Sequence, residues 1–111
     1  MGNASGMTEF TFEETRRGGV AECVLSGDLD MSATFRLEPS VDRLLAGEDV
    51  TELVLDLAEV AFVDSSGLGL LLTTYERSRY AETPMSIVGA RPEIQRVFRL
   101  AGVDDVLPIS P

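Results

Sequence analysis

The chain of 111 residues has no histidine, no lysine and no tryptophan, and a single cysteine. Without histidine, Ser-His triads, histidine general acid–base catalysis and histidine-ligated metals are excluded together. With one cysteine, Cys23, no intrachain disulfide can form, as expected for a reducing cytoplasm. Cys23 lies in an apolar strand pattern and reads as a buried structural thiol. Long apolar runs are missing too. The longest uncharged stretch, Ser65 to Tyr75, falls well short of the ~20 residues a spanning helix needs. No basic-then-apolar leader opens the sequence. Residues 1–7 are small and polar and are expected to form a disordered N-terminal extension to one domain over 8–111.

What is present is mainly acidic. The net charge is −10, and all of it belongs to residues 1–64, where fourteen Asp/Glu face four Arg; residues 65–111 hold five of each. Such a chain is repelled by phosphate backbones and anionic lipid, so neither nucleic acid nor a membrane surface is expected as a direct partner. A basic patch on another protein fits better.

Phe10 and Phe12 alternate with polar neighbours, predicting a strand over about Glu9–Thr15, a turn at Arg16-Arg17-Gly18-Gly19, and a second strand over Val20–Leu25. Gly27-Asp28-Leu29-Asp30 is expected to break that strand, with Asp30 or Ser32 capping a helix whose apolar face is Leu37, Val41, Leu44 and Leu45. Pro39 should kink that helix or delay its start, and Gly47 should end it. Leu53, Val54, Leu55 and Leu57 predict a third strand, near-continuously apolar and so expected to be buried on both faces. A loop over Ala58–Ser66 comes next, then a helix from Ser66 to about Ala81 facing inward with Leu68, Leu71, Leu72 and Tyr75. Met85 to Val88 is a fourth strand. Pro92 opens a last helix lined by Ile94, Val97, Phe98 and Ala101 and stopped by Gly102. Pro108 allows only a short edge strand over Val106–Ile109. The order β-β-α-β-α-β-α-β predicts a single α/β domain: a mixed sheet, an opening hairpin then parallel strands, with helices mainly on one side.

In such sheets chemistry gathers at the carboxyl ends of the strands, where Gly27–Asp30 and Ala58–Ser66 both lie. Ser65 and Ser66 there lack the Gly-x-Ser-x-Gly spacing of a nucleophile elbow and any histidine or lysine base, so no hydrolase activity is expected. Three readings stay open. Asp28, Asp30 and Asp64 could bind a hard cation or simply serve turns and caps. Gly67-x-Gly69 after a strand weakly suggests a nucleotide loop. Ser65 or Ser66 could cap the helix, or accept a phosphate that the helix N-terminus would tolerate.

The segment Phe62-Val63-Asp64-Ser65-Ser66-Gly67-Leu68-Gly69, with Leu25-Ser26-Gly27-Asp28-Leu29-Asp30 and Val97-Phe98-Arg99-Leu100-Ala101-Gly102, resembles the small bacterial anti-sigma-factor antagonists of the STAS superfamily over residues 8–110. The resemblance implies a non-enzymatic cytoplasmic switch with no cofactor and no metal. The unmodified protein would bind an anti-sigma factor with a histidine-kinase-like ATPase fold and free the sigma factor. That partner, acting as a serine kinase, would phosphorylate Ser65 and end binding; a PP2C-type phosphatase would restore it. Asp28, Asp30, Asp64, Ser66, Gly67 and Leu68 would border the partner surface. A second implication of the resemblance is a stand-alone accessory subunit of an ABC-type lipid transporter.

Overall fold

Alternation of side chains organises the first third of the chain. In the computed structural model, which describes residues 9–47 and 49–110, strand β1 (Thr11–Arg17) turns through Gly18-Gly19 into antiparallel strand β2 (Val20–Leu29). Next in order come helix α1 (Met31–Ala46), strand β3 (Glu52–Val63), helix α2 (Ser65–Tyr80), strand β4 (Met85–Val88) and helix α3 (Pro92–Leu100). The sheet order is β1-β2-β3-β4, with β2, β3 and β4 parallel, as expected of two crossovers after a hairpin. The fifth strand reduces to a single parallel bridge between Ile87 and Ile109.

One face of the sheet carries the core. Ala21, Cys23, Leu25 and Leu29 of β2 meet Leu53, Leu55 and Leu57 of β3, with Leu37, Val41 and Leu44 of α1, Leu71 of α2 and Phe98 of α3 closing over them. The opposite face has no helical cover, so Val54 is half-buried and β3 alternates instead of being enclosed on both faces.

Two expected loops are strand. β2 continues through Gly27 to Leu29, because Gly27 adopts φ +95° and carries no Cβ to strike the Glu9 carbonyl. β3 continues to Val63 by means of two extra residues. Val24 and Ser26 pair with Asp56 and Glu59, and Gly27 and Asp28 with Val60 and Phe62. Each bulge resets the pleat, so burial falls on every third residue: Leu57, Val60, Val63.

The helices differ from expectation in detail. α1 starts at Met31 and runs through Pro39. Pro39 has no N–H for the Phe35 carbonyl, but both residues are exposed, so water can satisfy that oxygen. α2 buries Gly67, Leu70, Leu71, Thr74 and Ser78, while Leu68, Leu72 and Tyr75 are only half-buried. Ser78 is accommodated by donating its hydroxyl to the Tyr75 carbonyl at 2.7 Å. On α3, Ile94 and Phe98 are buried, Val97 is half-buried and Ala101 is exposed. Its end is a Schellman turn: the Gly102 N–H bonds the Arg99 carbonyl and the Val103 N–H bonds that of Phe98.

Candidate functional site

The parallel strands β2 and β3 end level with one another, Leu29 beside Val63, and each passes through a single aspartate into a helix. Asp30 has φ −116° and ψ −168°, and its carboxylate accepts from the Ala33 N–H at 3.0 Å. Asp64 has φ −103° and ψ −171°, and its carboxylate accepts from the Gly67 N–H, also at 3.0 Å. The Asp64 N–H reaches back to the Leu29 carbonyl at 3.3 Å, tying the second cap to the end of the neighbouring strand. An aspartate at the N-cap satisfies one orphan donor and places negative charge at the positive end of the helix dipole.

Capping by Asp64 determines what the serines are left to do. Helix α2 begins one residue before the expected Ser66, and neither serine is the cap. Ser65 occupies the first helical position and is exposed; Ser66 is next and half-buried. The Ser65 hydroxyl therefore stands at a helix N-terminus without a capping task. Gly67 is buried, and a Cβ there would run into the Leu29 carbonyl oxygen and come within 3.0 Å of Leu29 Cγ. Its missing side chain lets the start of α2 rest on the end of β2. Gly69 is exposed, with nothing within 4 Å of an added Cβ. That pair of glycines is packing and surface, not a phosphate cradle.

The three aspartates do not converge. Asp30 and Asp64 cap adjacent helices, whereas Asp28 lies beside Phe62 on the sheet face away from the helices. Among the described residues, no group of three or more His, Cys, Asp or Glu is placed to hold a metal ion. Cys23 is buried beneath the helices, and burial pushes its thiol up to about 11.

Sequence reasoning passed over three exposed apolar residues at this end of the molecule. Met31 comes directly after the Asp30 cap and is 59% exposed, Phe35 one turn later is 70% exposed, and Phe62 before Val63 is 51% exposed. The signal was available for Phe35, which stands two residues before Leu37 and so falls off the buried stripe.

The STAS domain family profile matches residues 11–111. An anti-sigma factor antagonist from Mycobacterium paratuberculosis is 32% identical, with a TM-score of 0.80 over 93% of this chain and 86% of that one. The anti-sigma F factor antagonist of Paenibacillus polymyxa is 29% identical over 82% of this chain and 78% of its own length. The Bacillus cell fate determinant SpoIIAA shares the fold at 20% identity in both its unphosphorylated form (TM-score 0.74, 93% of this chain, 89% of that one) and its phosphorylated form (TM-score 0.70, 93% and 92%). Among the described residues, no helix is long and apolar enough to cross a membrane. With its mixed sheet, its motif at the start of α2 and its match along nearly the whole length, this chain belongs to the STAS-domain family of anti-sigma-factor antagonists.

Proposed function

We propose that the chain is a phosphorylation-controlled binding module in which Ser65 is the modified residue and the surface around the two capped helix starts is the docking site. The observation that carries this reading is the Asp64 cap, which leaves the Ser65 hydroxyl exposed at the first position of α2. The partner in this reading is an anti-sigma factor, the target that the relatives' names give for such antagonists, and one with a histidine-kinase-like ATPase fold. It supplies ATP, metal and base. Ser65 Oγ attacks the γ-phosphorus, the bond to ADP breaks, and the hydroxyl proton passes to the partner. A PP2C-type phosphatase reverses the modification by hydrolysis.

The switch is local. A phosphate adds roughly −1.5 to −2 charges beside Asp64, and the free N–H groups of the first turn help to hold it. The fold survives, while a neutral hydroxyl at the same end as exposed Met31, Phe35 and Phe62 becomes a hydrated dianion. An apolar partner surface that fitted the first would have to desolvate the second, which costs more than the contact returns. Asp28, Asp30, Asp64, Ser66 and Leu68 border this surface, and Gly67 acts beneath it by seating the helix.

The test is a capture from host lysate on Ser65→Ala and Ser65→Asp baits, then calorimetry with the ATPase identified. Retention by the alanine bait and at least tenfold weaker binding by the aspartate bait is expected. Equal retention of transporter subunits on both baits would overturn the reading.

A further inference from the structure

The β1 edge of the sheet carries an inference independent of Ser65. β1 is the first strand in the sheet order and, among the described residues, pairs only with β2. Its outer half reads Glu13-Glu14-Thr15-Arg16-Arg17, two acids and two bases placed symmetrically about a threonine. The register with β2 sorts them by face. Glu14 and Arg16 lie opposite Cys23 and Ala21, on the helix side; Glu13 and Arg17 lie opposite Val24 and Val20, on the open side.

We infer that β1 is a self-recognition edge, which pairs antiparallel with β1 of a second copy about a two-fold axis through Thr15. In that register Thr15 faces Thr15, Glu14 faces Arg16 and Glu13 faces Arg17, each ion pair occurring twice by symmetry. Directly opposed residues of an antiparallel pair must share a face of the sheet, and both couples do. The charges also disfavour the neighbouring two-fold registers and the in-register parallel one. Centring on Glu14 sets it against itself, centring on Arg16 does the same, and an in-register parallel pairing opposes every like charge. Charges on an edge strand ordinarily blunt pairing with other chains; here they disfavour the two-fold registers on either side of the one centred at Thr15.

The groups are free to exchange partners. Arg16 reaches Asp49 at 3.1 Å and its own Glu14 at 3.6 Å, and Glu14 meets Arg43 at 3.0 Å, all near the surface where ion pairs hold weakly. Pairing would give an eight-stranded sheet with both helix layers on one face. Ser65, which follows the end of β3, two strands in from this edge, would stay accessible in both copies.

Analytical ultracentrifugation of the full chain at physiological salt, where long-range repulsion between two acidic copies is screened, tests this. The unmodified chain should dimerise reversibly at high micromolar concentration. The doubly substituted variants Glu13→Arg/Glu14→Arg and Arg16→Glu/Arg17→Glu should each self-associate roughly tenfold or more weakly. Mixed together they should form a heterodimer, since the same register then opposes four bases with four acids. Far-UV circular dichroism checks that each variant is folded, and the recovery on mixing cannot come from a damaged strand. A monomeric unmodified chain with no association on mixing would overturn the inference. So would a dimer that persists in either variant alone.

Discussion

The two strand-to-helix junctions are near copies that do different work. Asp30 and Asp64 share extended backbone geometry, cap the third residue of their helices at the same 3.0 Å, and end adjacent parallel strands. The first turns of the two helices differ. After Asp30 come Met31, Ser32 and a buried Ala33; after Asp64 come Ser65, Ser66 and a buried Gly67. The cap is therefore generic architecture, and the proposed switch rests on the residues that the cap leaves uncommitted.

Substitution at the third helical position should separate the junctions most. Gly67→Ala forces a Cβ against the backbone of Leu29, which cannot swing away, and is expected to cost about 2–3 kcal/mol by urea unfolding. At the matching site of α1, Ala33→Gly should cost only ~1 kcal/mol, from helix propensity and lost packing. Gly69→Ala, exposed and open, should be neutral or stabilising by up to ~1 kcal/mol. A comparable loss at Gly67 and Gly69 would mean that α2 does not rest on Leu29.

Removing the caps should treat the junctions alike in stability and unlike in function. Asp30→Ala and Asp64→Ala should each cost ~1 kcal/mol. Asp64→Ala invites Ser65 or Ser66 to take over the cap, whereas Asp30→Ala leaves Ser65 untouched, so phosphate transfer to Ser65 by the partner kinase should slow in the first variant and not in the second. Rate measurements with radiolabelled ATP on both variants would decide it.

The smallest effect is expected at Ser65 itself. Ser65→Asp should change unfolding stability by no more than ~0.5 kcal/mol, since an acid in the first turn suits the helix dipole. A large loss on thermal unfolding would make Ser65 a structural residue and remove the basis for a surface switch.

Local chemistry made much of this legible. The hairpin is written in the alternation around Phe10 and Phe12 and in Gly18-Gly19. The ends of α3 are written in Pro92 and Gly102, and the site in the unusual run Asp64-Ser65-Ser66-Gly67. The misreadings concern partners. Ala58 to Val63 looked like a loop because its apolar residues fall every third position, a spacing that only the bulges opposite β2 make compatible with a strand. The inward face of α2 was legible only in part: Leu71 is buried and Leu68, Leu72 and Tyr75 pack against the core, but Gly67, Thr74 and Ser78 are buried too, because their small volumes matter more there than hydropathy. Ser65 and Ser66 could each have been the cap from sequence alone.

Sequence by itself determined the class of fold, the absence of histidine chemistry and the position of the serine pair, because strand alternation, helix periodicity and residue type are local properties. Tertiary structure alone decided that Asp64 rather than a serine caps α2, that Gly67 is occupied space and Gly69 open surface, and that Asp28 stands apart from Asp30 and Asp64. Each of those depends on what the neighbouring strand places within a few ångströms, and no one-dimensional pattern records the neighbour.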